Sequence, residues 1–243
     1  MERRRADLLL VELGLFESRA KARAAIEAGR VVVAGRPLAK ASELIDPSAE
    51  ILAEPAHPWV GRGGLKLDYA LSTWPISVEG RVVLDVGAST GGFTEVCLVR
   101  GAAKVFAVDV GHGQLHPRLA ADPRVVDLQG TDARGLTAEL IADVPGLLVC
   151  DASFISLAKV LPAALALAGE GADLVALVKP QFEVGPERIG KGGVVRDAEA
   201  RAGAARAVAA WLAAQRWTVR DTLESPVRGG DGAIEHLLWA SKG

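Results

Sequence analysis

"VVLDVGASTGGFTEVCLVRG" occupies residues 82–101, and its reading decides the fold. Asp85 ends an apolar strand, and Gly87, Gly91 and Gly92 form a tight turn that leads into a helix. A turn of that kind lets a ligand approach the backbone at a helix N-terminus, where unpaired N–H groups point outward.

Working outward, strands are expected near 82–86, 104–109, 124–128, 147–151, 173–178, 216–224 and 234–240. Helices are expected near 64–73, 91–101, 113–121, 136–141, 156–168 and 197–214. Alternation of this kind specifies an α/β fold with a mostly parallel, doubly wound sheet of seven strands. The last two strands have no helix between them and should form an antiparallel hairpin.

Acids fall at successive strand ends. Asp109 closes "VFAVDV", 24 residues after Asp85, where a carboxylate can accept hydrogen bonds from both ribose hydroxyls of a nucleoside cofactor. Asp132, in "GTDARGL", follows the third strand and is a candidate partner for an exocyclic amine. The glycine stretch does not spell GxGxxG in the dinucleotide register. An acid ahead of the first glycine suits S-adenosylmethionine, whose cationic end needs a carboxylate rather than a pyrophosphate cradle. The expected cofactor contacts are therefore Asp85, Gly87, Ala88, Ser89, Thr90, Gly91, Asp109 and Asp132. A second glycine-rich stretch, "GPERIGKGG" (185–193), imitates a phosphate-binding loop, but Gly192 stands where the Ser or Thr for magnesium is required. It reads instead as a basic lid beside the substrate.

"LLVCDASFIS" (147–156) begins as a strand apolar on both faces and ends in Asp151. Lys179 ends the next strand, in "LVKPQFE", and Glu235 begins the last one, in "IEHLLWA". All three should meet at the carboxyl edge, where doubly wound proteins bind ligands. Lys66, in the helix "GGLKLDYAL", is a fourth candidate. From the residues alone, ordinary salt bridges at strand ends account for these groups as well as chemistry does.

Residues 1–55 differ in character. Leu8, Leu9, Val11, Leu13 and Leu15 fall mostly on one helical stripe ended by Gly14, and Ser18 reads as the N-cap of a second helix ended by Gly29. "RVVVAGRPL" is a strand, an Ala-Gly turn and a return. Arg19, Lys21, Arg23 and Arg30 crowd basic charge together, with Arg19 and Arg23 one helical turn apart. Residues 56–63 read as a linker whose Trp59 and Val60 dock onto a domain surface. The second domain then runs from 64 to 243.

The chain has 243 residues, a formal charge of −2, and half its residues hydrophobic, so nucleic-acid binding must come from local patches. Cys97 and Cys150 fit no zinc spacing and read as reduced cytosolic thiols. The four histidines do not cluster with acids, so no metal is expected. "MERRRADLLLVELGLF" lacks a cleavage site, and no run approaches the roughly 20 apolar residues needed to span a bilayer. A cytoplasmic protein is expected, and a membrane-acting one is not.

"SRAKARAAIEAGRVVVAGRPL" resembles the S4 RNA-binding domain. Lys66, Asp151, Lys179 and Glu235 resemble, in order and context, the Lys-Asp-Lys-Glu tetrad of ribose 2′-O-methyltransferases of the FtsJ/RrmJ type. With "GASTGGFTEV", "DVGHGQL", "DASFISL", "VKPQFEVG" and "GGVVRD", nearly the whole chain resembles the TlyA family, some of whose members carry a haemolysin label. The resemblance implies a Rossmann-like class I methyltransferase preceded by a small α+β S4 domain. It implies methylation of a cytidine 2′-hydroxyl in ribosomal RNA, with S-adenosylmethionine as cofactor and a monomer as the working form. Lys179 would be the general base, Lys66 its neighbour, and Asp151 and Glu235 the groups that hold both lysines. Arg3, Arg4, Arg5, Arg19, Lys21, Arg23 and Arg30 would meet RNA phosphates. The chain departs from the family at His57-Pro58-Trp59-Val60, where an arginine often leads, and at Gly232-Ala233-Ile234-Glu235, where an asparagine often stands. Its short ends resemble the subgroup associated with the large subunit's 23S rRNA alone. The rival expectations are a catalytically silent RNA binder and, from the haemolysin label, a membrane-acting cytolysin.

Overall fold

The structure, a computed structural model, describes residues 2–229 and 232–243. It divides into two compact units, Met1–Pro58 and Trp59–Gly243.

In the first unit, helices Ala6–Glu12 and Arg19–Glu27 pack beside a small sheet of Val31–Val33, Arg36–Pro37 and Ile51–Ala53. Ser18 caps the second helix by accepting a hydrogen bond from the Lys21 N–H at 3.3 Å, an interaction worth about 1 kcal/mol. Ala34 and Gly35 both take positive φ, the conformation that matches the twist of a two-residue hairpin. The first helix corrects the expected stripe: it buries Ala6, Leu9 and Leu10, at spacing i, i+3 and i+4, while Leu8, Leu13 and Leu15 are exposed. The strand at Ile51–Ala53, invisible in the periodicity, closes the sheet.

The second unit is built on seven strands: β1 Val82–Val86, β2 Lys104–Asp109, β3 Val125–Gln129, β4 Leu147–Cys150, β5 Asp173–Val178, β6 Trp217–Glu224 and β7 His236–Lys242. Their order is β6-β7-β5-β4-β1-β2-β3. Strands β1 to β5 are mutually parallel, and β7 lies antiparallel between β5 and β6. Helices cover both faces, so the central strands carry no polar alternation. Leu84, Phe106 and Leu148 fill one core, and Val83, Val105 and Leu147 fill the other.

Three expected elements differ. Residues 136–141 form no helix; a 3-10 turn, Ala133–Gly135, precedes them, and the Ile141 N–H to Thr137 carbonyl bond closes a single turn before Pro145 and β4. The helix expected at 113–121 shrinks to Pro117–Ala120, because Pro117 fixes its first position. The helix expected at 156–168 is split into Leu157–Val160 and Pro162–Leu167, since Pro162 has no N–H to continue the ladder. Glu235 stands one residue ahead of β7 rather than opening it.

Glycines at two helix starts allow close packing. Helix Gly63–Thr73 and helix Gly92–Val99 meet at their N-termini, where a Cβ on Gly92 would lie 2.9 Å from the Gly64 nitrogen. Alanine at 92 would gain up to about 1 kcal/mol in helix propensity but would force the two backbones apart at a cost of roughly 1–3 kcal/mol. Gly92→Ala is therefore expected to lower the denaturation free energy by about 1–2 kcal/mol. A urea titration showing equal or greater stability would contradict this contact.

Candidate active site

A cavity of about 400 Å³ opens at the carboxyl edge of the sheet. Parallel pairing puts it there. Val86 lies opposite Cys150 and Cys150 opposite Ala176, so the residues after β1, β4 and β5 emerge side by side. Lys66, Asp151, Lys179 and Glu235 all line it, together with Gly87–Thr90 of the glycine turn.

The four ionisable residues form two pairs. Lys66 Nζ lies 2.5 Å from Glu235 Oε2, and both side chains are buried, at 7% and 3% exposure. A buried ion pair of this kind is costly to assemble, and removing one partner alone costs roughly 3–5 kcal/mol. Lys179 Nζ lies 2.6 Å from Asp151 Oδ1, in a contact that is an ion pair rather than an aligned hydrogen bond. It also donates to the Asp151 carbonyl at 3.0 Å and to Ser153 Oγ at 2.8 Å. Gly63 leaves room for Asp151: a Cβ there would stand 3.2 Å from Oδ2.

Behind the glycine turn, Asp85 is fully buried. Thr94 Oγ1 donates to its Oδ2 at 2.7 Å, while Oδ1 has no hydrogen-bond partner. Burial raises this carboxyl to about 7. Gly87, at φ +84°, touches the Ala152 backbone so closely that a Cβ would come within 2.9 Å of it. Ser89 holds φ +47°, and its N–H donates to Asp109 Oδ2 at 2.8 Å. Asp109 Oδ1 accepts from the Gly111 N–H, also at 2.8 Å. Each oxygen keeps a second lone pair for a ligand. Gly91, at φ +95°, caps helix Gly92–Val99 against Leu115 and Leu119.

Asp132 stands apart from this cavity. It is exposed three residues beyond β3, caps the turn Ala133–Gly135, and is gripped by Arg134, which lowers its carboxyl to about 2.

Four features of the site had no signal in the periodicity. Ser153 meets Lys179 because β4 and β5 are neighbours. Phe154 is 90% exposed at φ +66° and leans on Phe182, with ring centroids 5.3 Å apart. Arg62 lines the cavity and donates to the Arg228 carbonyl at 2.6 Å. Glu95 is buried, holds the Val60 N–H at 2.5 Å and pairs with Arg118, which is how Val60 docks.

The basic residues of the first unit are mostly paired. Arg4 meets Glu12, Lys21 meets Glu17, Arg23 meets Glu27 and Arg30 meets Glu54. Nine basic and nine acidic residues balance across residues 1–58. Arg5 and Arg19 share one acid: both grip the buried Asp7, and these hydrogen bonds, Arg5's first, hold its carboxyl well below the usual range. They line a cavity of about 600 Å³ with Arg23 and Lys40. Among the described residues no cluster of His, Cys, Asp or Glu could hold a metal ion, and no helix is long and apolar enough to cross a membrane.

Strand order, the antiparallel β7 and the glycine turn after β1 define a Rossmann-like methyltransferase. The FtsJ-like methyltransferase family matches residues 59–242, and the S4 domain matches residues 4–51. The chain belongs to the FtsJ-like family, in the TlyA group that also carries an S4 domain. It is 49% identical over 239 residues to the 16S/23S rRNA (cytidine-2′-O)-methyltransferase TlyA of Mycobacterium tuberculosis, covering 98% of this chain and 89% of that one. It is 34% identical over 185 residues to the 23S rRNA (cytidine-2′-O)-methyltransferase TlyA of Campylobacter jejuni, covering 76% and 71%. A solved structure from Streptococcus thermophilus that carries a hemolysin name superposes with TM-score 0.78 at 39% identity, covering 100% of this chain and 89% of that one.

The Asp85 carboxyl generates a prediction about stability. Its folded value, about 7, lies above the ordinary 3.8, so the folded state binds the proton more tightly. The stabilising contribution is complete below about pH 4 and is lost as pH rises through 7, a change on the order of 4 kcal/mol. Asp85→Asn is expected to lack this loss, and its advantage over the wild type should grow between pH 5 and 8. Parallel stability–pH curves, measured by chemical denaturation without cofactor, would contradict it.

Proposed function

We propose that this protein methylates a ribose 2′-hydroxyl of a cytidine in ribosomal RNA, with S-adenosylmethionine as donor. One observation carries the reading: two lysine–carboxylate pairs, one fully buried and one half-buried, line the same cavity as the glycine turn. Simple strand-end salt bridges would not require both pairs on one cavity wall.

The residues fit the donor. Asp85 offers an unpartnered oxygen behind the turn, Gly87–Thr90 present backbone to the cavity, and Asp109 keeps lone pairs for ribose hydroxyls. Asp132 would have to release Arg134 to meet an exocyclic amine. When bound, S-adenosylmethionine would supply an electrophilic methyl group.

A ribose hydroxyl is a poor nucleophile, so its proton must leave as it attacks. Lys179 would take that proton once its amine is neutral. Asp151 aims it through the carboxylate and the carbonyl, and Glu235 holds Lys66 on the same cavity wall. Phe154 presents a nearly naked ring at the cavity mouth, suited to a base swung out of an RNA strand, and stacking of that kind is worth roughly 1–3 kcal/mol. In the S4 unit, which is neutral overall, Arg5 and Arg19 concentrate positive charge around one acid, and phosphate contacts there would add affinity without reading sequence. The site is complete within one chain, which suits a monomer acting on ribosomal RNA in the cytoplasm.

The test uses labelled S-adenosylmethionine with purified 50S and 30S subunits, wild type beside Lys179→Ala. Label is expected in 23S rRNA, and loss of the base should slow its transfer by about 10²–10⁴-fold. Label in 16S rRNA as well would remove the large-subunit restriction alone; the 49% identical relative is named for both RNAs. Cofactor binding without transfer to either RNA would favour the silent binder.

A further inference from the structure

We propose that Ser153 is a further catalytic residue, a proton relay between the substrate hydroxyl and Lys179. The inference rests on the reading of Lys179 as the base.

Lys179 Nζ has three contacts, the number of N–H donors on an ammonium: Asp151 Oδ1 at 2.6 Å, the Asp151 carbonyl at 3.0 Å and Ser153 Oγ at 2.8 Å. The carboxylate and the carbonyl can only accept. A neutral amine has two N–H groups and one lone pair. One N–H goes to the Asp151 carbonyl and the other stays on the side of the Asp151 carboxylate, whose contact is an ion pair; neither partner has a hydrogen to offer. The lone pair is left facing Ser153, whose hydroxyl both donates and accepts. Of the three contacts, Ser153 alone can reverse its hydrogen bond when the lysine changes protonation.

The position of Ser153 completes the path. It follows β4, is exposed, and lines the cavity, whereas the side chain of Lys179 is 8% exposed. The positive φ of Phe154 turns the chain immediately after it. A substrate hydroxyl entering the cavity therefore meets the exposed serine oxygen, with the less exposed lysine on the same cavity wall.

The step balances. The ribose O–H bond breaks and its proton passes to Ser153 Oγ. The serine O–H bond breaks and its proton forms the third N–H bond on Lys179, using the amine lone pair. Serine ends as a neutral hydroxyl, lysine as an ammonium that keeps its ion pair with Asp151. The ribose oxygen keeps the electron pair that forms the new bond to the methyl carbon, and the donor leaves as a thioether.

The experiment compares single-turnover methylation in H2O/D2O mixtures for the wild type, Ser153→Ala, Ser153→Gly and Ser153→Thr, with Lys179→Ala as reference. Ser153 is exposed, so these substitutions should leave thermal unfolding and S-adenosylmethionine affinity near wild type. Ser153→Ala and Ser153→Gly should turn over about 100-fold more slowly, the lower end of the range for a lost proton-transfer group. Their dependence on deuterium fraction should be linear, where the wild type, moving two protons, gives a bowed curve. Ser153→Thr should restore rate and curvature. Wild-type rate in Ser153→Ala with Lys179→Ala inactive would overturn the relay and leave the base assignment standing. Full activity in Lys179→Ala would overturn both. A slow Ser153→Ala that keeps the bowed curve would make the serine structural and overturn the relay.

Discussion

Two lysines buried at one edge of a parallel sheet constrain everything around them. Each carries a charge that the interior cannot hold alone, and each is answered by a carboxylate from a distant segment: Lys66 by Glu235 and Lys179 by Asp151. Those pairings are possible only because β4 and β5 are parallel neighbours and the chain enters antiparallel β7 at the same edge. The sheet topology thus sets the electrostatics, and the electrostatics set the floor of the cavity.

The glycine turns serve the same edge. Gly63 leaves room for Asp151, Gly87 lets the turn after β1 press on the backbone after β4, and Gly92 lets two helix N-termini touch. Asp85 sits behind this layer as a carboxyl that burial has pushed up to about 7, poised to change charge with its surroundings. A cationic ligand end nearby would favour its ionised form, and an empty site the protonated one.

Much of this was legible in the residues. Continuous apolar runs bounded by glycine or proline marked the central strands, and acids or lysines at their ends marked the edge. Ser18 and Gly35 announced a cap and a turn through their own side-chain chemistry and conformational freedom. What escaped was set by tertiary context. Leu8, Leu13 and Leu15 looked like a buried stripe, but the helix stops at Glu12 and turns Leu9 and Leu10 inward. Asp132 fell in the right place along the chain, yet its nearest cation is Arg134, two residues away. Ser153 and Phe154 lie in a turn without periodicity, and only the pairing of β4 with β5 brings the serine to a lysine.

The central claim is that the edge lysines act on a ribose oxygen rather than on a base. Complete digestion of the methylated RNA to nucleosides, followed by mass spectrometry of the labelled product, tests it most directly. The account predicts that the added methyl travels with the ribose fragment of cytidine. A methyl retained on the base fragment would contradict it, because base methylation has no need of a cavity wall built from two lysine–carboxylate pairs.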